Sequence, residues 1–202
     1  MRDEGFRLAR RRGMLKALAL ATLLLTPVIA TADTAAPKAG KVEAAKLSDD
    51  EVKLSSHVKM VNDMEIQMGK LAQANGSAPV KKYGAMLVKD HTANNTKLAA
   101  LGKKKGLAKL PAEVPTTDAE KAEHKAAMDA MTDLKKVKGA DFDTKFLAMM
   151  IADHEKVVVQ LTNAEGLVKD ADLLALIKET KPVVQGHADQ AKDLASKPAP
   201  SK

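Results

Sequence analysis

Four long segments place apolar residues at alternating steps of three and four, which is the spacing of one face of an α-helix. They are predicted to be helices over about residues 49 to 75, 78 to 104, 142 to 165 and 170 to 195. An Ala-rich helix is predicted over about 118 to 137. No segment alternates apolar and polar residues as a half-buried strand would. The predicted fold class is therefore all-α, a four-helix bundle with a long crossover that carries an additional helix.

Capping residues set the expected helix boundaries. The first helix is predicted to begin after Ser48 or Asp49, and the Ala-rich helix after Thr117. Asp141 is predicted to cap the third long helix, after a break at a glycine. A proline inside a helix removes one backbone hydrogen bond, so a kink is expected at Pro182.

The apolar residues along one face of each long helix form an apolar stripe. Each stripe contains at least one ionisable residue where an aliphatic side chain is expected. The five residues are Glu65, His91, Asp143, His154 and His187. An unpaired polar group in a core costs several kcal/mol, and an unpaired charge costs more. These side chains must therefore bond to one another, hold water or hold an ion.

Two of the histidines close nearly identical segments, YGAMLVKDH (83 to 91) and FLAMMIADH (146 to 154). A crossover helix of about twenty residues reaches roughly 30 Å, long enough to run back along the bundle. The two segments would then lie on parallel helices, with Glu65, His91 and His154 at one depth. Asp143 and His187 are predicted to lie nearer the end of the bundle. Similar packing requirements or an ancestral duplication would each account for the repeat.

The aspartates that precede these histidines, Asp90 and Asp153, are turned about 100° round the helix from them. They are predicted to face solvent or a crossing lysine. His57 and His124 are predicted to be exposed.

Four stretches together resemble one protein family. They are MEIQMGKLA (64 to 72), MLVKDHTANN (86 to 95), GADFDTKFLAMMIADHE (139 to 155) and KPVVQGH (181 to 187). They resemble the ferritin-like family of domains of unknown function numbered 4142, over about residues 49 to 195. The resemblance implies a ferritin-like four-helix bundle and an exported location, and it implies no established activity. The recurring polar positions of that family fall on the five ionisable residues of the stripes.

A metal site is one hypothesis for these five residues. Imidazole nitrogens and a carboxylate inside a bundle suit Zn, Cu, Fe or Mn. Glu65, His91 and His154 would be the inner ligands, with His187 and Asp143 supporting them or forming a second site. Di-iron bundles use Glu-x-x-His, and here aliphatic residues stand three positions before each histidine (Val88, Ile151 and Val184). Ferroxidase chemistry is therefore not supported.

The alternative is a buried hydrogen-bond network that sets helix register without any metal. Asp143 also has a local alternative, because acids in the first turn of a helix favour its dipole and cap its amides. Met60, Met64 and Met68 form a line on the first helix that would suit Cu(I), although methionine is also ordinary core filler, which we favour here.

The N-terminus reads as an export signal over residues 1 to 32. Basic residues precede a short apolar run, and Ala30-Thr31-Ala32 fits a cleavage pattern. Arg11-Arg12 also resembles a twin-arginine signal. A flexible leader is predicted over 33 to 47, the bundle over 48 to 195 and a disordered tail over 196 to 202.

Charge and composition exclude several classes of partner and site. The predicted signal carries six basic and two acidic residues, so its removal lowers the net charge from +7 to +3. With few aromatic residues and mixed charges, no nucleic-acid partner is expected. The chain has no Cys, which excludes disulfides and thiolate sites. After signal removal no membrane-spanning segment is expected, and the predicted location is the periplasm or cell envelope of a bacterium.

Two functions follow from these observations. The first is a periplasmic metal-binding or stress-protective protein. The second is a non-catalytic envelope protein that interacts with other components or with itself and whose polar core is structural. Catalysis has little support, because no G-x-S-x-G motif or Gly-rich phosphate loop is present.

Overall fold

The computed structural model describes residues 45–197, and every regular element in that range is a helix. The helices are α1 (Asp49–Asn75), α2 (Ala78–Lys104), α3 (Asp118–Leu134), α4 (Gly139–Leu167) and α5 (Ala171–Ala195). The all-α prediction is confirmed. The predicted export signal, most of the predicted leader and the end of the predicted tail lie outside the described residues.

The long helices form a bundle in which α2 and α4 run parallel. The rings of Tyr83 and Phe146 have centroids 6.0 Å apart. About two helical turns further along both helices, the ring centroids of His91 and His154 lie 5.9 Å apart. α1 lies antiparallel beside α2, and α5 lies antiparallel beside α4 and α2. The parallel arrangement expected from the doubled segment is confirmed.

The crossover makes this arrangement possible. Its first part lies against the start of α1, where His57 is hydrogen-bonded to Glu113 and Lys53 forms an ion pair with Glu120. Its last part brings Leu134 into the core beside the start of α4. The segment between α2 and α4 therefore runs back along the bundle, as in folds with one long crossover connection.

Helix boundaries follow the caps, with one correction at the start of α4. Ser48 and Thr117 each form a capping box, with Glu51 and Glu120. α4 begins at Gly139, earlier than the predicted cap at Asp141, because Gly139 adopts a φ of +62° that turns the chain into the helix. Leu47, directly before the first cap, is only 9% exposed and packs with the core.

Two apolar clusters fill the two ends of the bundle. One contains Tyr83, Phe142 and Phe146, and the other contains Leu101, Leu161 and Ile177. The buried histidines lie between them along the helices. None of the described helices combines the length and apolar character needed to span a bilayer.

α1 and α2 approach most closely at two glycines. A Cβ atom on Gly84 would lie 2.5 Å from the carbonyl oxygen of Gly69, and one on Gly69 would lie 2.6 Å from the carbonyl oxygen of Gly84. Only glycine permits this separation, which brings the side chains of α1 against those of α2 one or two turns further along.

Candidate metal centre

Three histidines from three different helices meet in the interior. His91 comes from α2, His154 from α4 and His187 from α5, and all three are buried. Their ring centroids lie 5.2 to 5.9 Å apart. One ring nitrogen from each lies within 4.8 Å of one ring nitrogen from each of the others. The parallel course of α2 and α4 accounts for the pairing of the first two, and α5 supplies the third.

Each ring is held by a hydrogen bond from one of its nitrogens. His91 Nδ1 bonds Asn62 Oδ1 at 2.8 Å, and His154 Nδ1 bonds the carbonyl oxygen of Met150 at 2.9 Å. His187 Nε2 bonds Asp90 Oδ2 at 3.1 Å. All three partners are oxygen acceptors, so these ring nitrogens carry the proton in a neutral imidazole.

The orientation of the Asn62 amide is itself determined by its neighbours. Its Nδ2 donates to the side-chain oxygens of Asn94 and Asn95, at 2.8 and 2.9 Å. The Oδ1 atom is therefore the one that faces His91, and it accepts from the ring. Asn94 continues the network by donating to Thr180 at 2.7 Å. A chain of polar side chains thus connects α1, α2 and α5 on one side of the histidines.

The second nitrogen of each ring makes no hydrogen bond within the part of the chain that the structure describes. His91 Nε2, His154 Nε2 and His187 Nδ1 are buried and make no hydrogen bond to any described residue. In the neutral tautomers set by the outer hydrogen bonds, these three atoms carry lone pairs. The cluster therefore offers three neutral nitrogen donors, the set found in many protein metal sites.

Burial keeps the histidines neutral. It lowers the pKa of His91 to about 3 and that of His154 to about 4, with repulsion from the neighbouring rings as a further cause. Burial also lowers the pKa of His187, partly opposed by its bond to Asp90. A ligating imidazole must be unprotonated, so at neutral pH the cluster is already in its metal-binding form.

Glu65 on α1 faces the same region. It is only 7% exposed, and with His91 and His154 it lines a cavity of about 40 Å³. Its Oε2 atom makes no hydrogen bond to a described residue. Burial, and to a lesser extent the nearby charge of Asp153, raises its pKa to about 8. Glu65 lies outside the group of three whose ligand atoms are within 4.8 Å of one another.

Asp143 has a different environment. Its carboxylate accepts the backbone N–H of Ser77 at 3.0 and 3.4 Å, at the residue that precedes α2. Asp143 also lies eleven residues before His154 on one helix, a separation of about 16 Å. The structure therefore does not bring it to the histidines, and it caps a neighbouring helix rather than its own.

Three residues around the cluster differ from the sequence-based expectation. His187 lies level with the other two histidines, so its predicted position nearer the end was wrong. Asp90 was expected to face solvent or a lysine, and it holds His187 instead. Asn62 was missed; the signal for it was a polar side chain one turn before Glu65 on the buried face of α1.

Methionines divide between core and surface. Met68 and Met150 are buried in an apolar cluster, and Met86 and Met149 pack against it. Met60 and Met64 line a groove on the outside of the bundle. Of the two remaining histidines, His124 is exposed as expected, whereas His57 is half-buried and bonds Glu113.

Comparison with known proteins identifies a family and nothing more specific. No curated protein matches the chain, and no solved structure matches it. The model of one family, described as a domain of unknown function (DUF4142), matches residues 36–194. That range covers most of the chain, including every residue of the histidine cluster, and the chain therefore belongs to the DUF4142 family.

Proposed function

We propose that this protein binds a transition-metal ion through His91, His154 and His187, and that it does so in the bacterial periplasm or cell envelope. The observation that carries the proposal is the set of three buried ring nitrogens that have no partner and lie close together. Outer hydrogen bonds orient each ring, as second-sphere partners do around metal-bound histidines.

The same observation separates this proposal from a purely structural network. In a network that sets helix register, the facing groups would bond to one another. Here the bonds run outwards, and the facing nitrogens are left without partners. Each buried polar group without a partner costs about 1–3 kcal/mol, a cost that coordination to an ion would offset.

The donor set narrows the class of ion. Neutral imidazoles suit Zn, Cu and Fe, whereas Mg and Ca prefer oxygen ligands. Mn is compatible if the Glu65 carboxylate joins the three nitrogens. A tetrahedral site with bonds of about 2.0–2.1 Å separates its nitrogens by about 3.4 Å, so small rotations would bring the rings into place.

Location and role rest on the sequence. The N-terminal segment resembles an export signal, and the absence of Cys suits an exported protein that needs no thiolate ligand. Enclosing a redox-active ion among buried side chains would limit its reactions with solvent, which supports a stress-protective role.

The first test is elemental analysis of the mature protein, purified from its own envelope without chelator or tag. We expect near-stoichiometric metal that is lost in the His91→Ala, His154→Ala variant. The matched control is His124→Ala, which removes an exposed imidazole and should retain the metal. Circular dichroism would establish that both variants keep their helices.

Thermal unfolding supplies a second readout. An ion at 100 times its Kd stabilises the folded state by about 2.7 kcal/mol, which raises Tm by roughly 5–10 °C in a protein of this size. No bound metal, and no shift on adding Zn, Cu, Fe or Mn, would refute the proposal. The histidines would then be a device for helix register in an envelope interaction protein.

A further inference from the structure

A groove of about 180 Å³ lies on the outside of the bundle, where the crossover passes over α1 and α4. We call it the outer groove. Its side chains of the types that can bind metals are His57, Met60, Met64, Glu65, Glu113, Glu120, His124 and Asp153. Carboxylate, imidazole and thioether groups are all present, and these groups bind transition metals.

The outer groove adjoins the cavity beside the histidines. Five residues line both spaces: His57, Val61, Glu65, Val157 and Gln160. The inner cavity is also lined by His91 and His154. Only this shared wall, which includes Glu65, separates the outer groove from the cavity that two of the three histidines line.

Charge favours this path for a cation. Three acids at the rim and wall of the outer groove, Glu113, Glu120 and Asp153, outnumber its one lysine, Lys156, and Glu65 adds a buried carboxyl group. A second groove of about 180 Å³, between α2 and α5, also borders the cluster through His91 and His187. There Asp90 is bonded to His187, and Lys97 is paired with Glu179, so that groove has fewer acids. Clefts lined by negative charge concentrate cations, so the outer groove is the more favourable approach.

Glu65 stands at the junction of the two spaces. It is more than nine-tenths buried, and its Oε2 atom has no partner among the described residues. A buried carboxyl oxygen without a partner is costly unless the site uses it. Its position between Asp153 on the groove side and the histidines on the inner side suits a ligand that passes an ion inwards.

We propose that the outer groove is the route by which a divalent transition-metal ion reaches the three histidines, and that Glu65 holds the ion during its passage. This inference rests on the proposed metal-binding function and adds a direction of uptake and a transfer ligand. The ion would be held first by carboxylates at the groove floor and then by the three ring nitrogens.

A matched pair of substitutions tests the route. Ala127 lines the outer groove from α3, and Ala93 lines the α2–α5 groove. The probe is Co²⁺, whose absorbance reports binding to the metal-free mature protein in a stopped-flow instrument. We expect Ala127→Trp to slow association at least tenfold with unchanged final stoichiometry, and Ala93→Trp to leave the rate within twofold. Slowing by Ala93→Trp alone, or by neither variant, would overturn the route.

Two further variants complete the test. Gln160→Trp obstructs the passage from α4, so the test remains decisive if Ala127→Trp does not fold. Glu65→Gln keeps the size of the side chain and is expected to slow association at least tenfold while the three histidines still bind. An unchanged rate in Glu65→Gln would refute its transfer role.

The outcomes also separate the two proposals. If the unmodified protein binds no Co²⁺ at equilibrium, both the metal-binding function and the route are wrong. If it binds one Co²⁺, and the Ala127→Trp and Gln160→Trp variants associate with Co²⁺ at the original rate, only the route is wrong.

Discussion

Replacing Gly84 by alanine is expected to destabilise the bundle, although alanine is the better helix former. The new Cβ would lie 2.5 Å from the carbonyl oxygen of Gly69 and 2.7 Å from Cβ of Ala72. Neither atom is at the end of a flexible side chain, so α1 and α2 must move apart. Ordinary carbon–oxygen contacts begin near 3.3 Å, so the required separation is about 0.8 Å.

The size of the effect follows from two opposed contributions. Overpacking at a rigid contact costs typically about 1–3 kcal/mol. Replacing glycine by alanine inside a helix recovers about 1 kcal/mol. The net expectation is a loss of up to about 2 kcal/mol, which lowers Tm by as much as roughly 8 °C for a bundle of this size.

Gly186 provides the matched control on α5. It is also inside a helix, and nothing lies within 4 Å of a Cβ built on it. Gly186→Ala should therefore show the helix-propensity gain alone, about 1 kcal/mol, and a Tm higher by roughly 2–4 °C. The assay is urea and thermal unfolding of metal-free protein, followed by circular dichroism. If Gly84→Ala proved as stable as Gly186→Ala, the close approach of α1 and α2 would not exist as described.

Three further predictions concern charged and polar groups. Asp143→Ala should lower the free energy of unfolding by about 1 kcal/mol through loss of a helix cap, with bound metal unchanged. Loss of the metal, measured by elemental analysis, would show instead that Asp143 belongs to the metal site. The side chain of Lys105 is 5% exposed and is paired with buried Asp170, so Lys105→Met should lower the free energy of unfolding in urea by about 3 kcal/mol. Lys97→Met, which removes a half-exposed ion pair, should lower it by under about 1 kcal/mol. Equal losses would contradict this ranking. Without metal, urea midpoints should be highest near pH 7. They should fall as the pH drops from 6.5 towards 4, because these histidines bind protons in the unfolded chain but stay neutral when buried in the folded protein. They should also fall as the pH rises from about 7 towards 8, because buried Glu65 in the folded state retains a proton that the unfolded chain has already released. Glu65→Gln should abolish the alkaline fall and retain the acid one, and any other pattern would refute the assignment.

The inward and outward nitrogens of the cluster explain why both functional hypotheses were reasonable from sequence. Outward bonds through Asn62 and Asp90 do connect helices and would help to set their register. The facing nitrogens make no such bond, which is why metal binding accounts for more of the geometry. A register device and a metal site are therefore compatible in one set of side chains, and elemental analysis decides whether the second exists.

Helix positions and the polar interruptions of the core were determined by the sequence alone. Periodicity at three and four residues, and caps such as Ser48 and Thr117, act within one or two turns, so they can be read locally. The same local pattern picked out Glu65, His91 and His154 as buried residues, and the structure places all three in the interior. The length of the crossover was enough to predict that α2 and α4 run parallel.

The partners of these residues were decided by tertiary structure. The depth of His187 depends on how far α5 slides along α2, which no spacing within α5 determines. The bond from Asp90 depends on α5 packing against the side of α2 that Asp90 faces, and the role of Asp143 depends on the turn that brings Ser77 beside α4. Contacts between helices follow from close approach, as at Gly69 and Gly84, and from crossing geometry. These are properties of two surfaces together, and a linear pattern describes only one surface at a time.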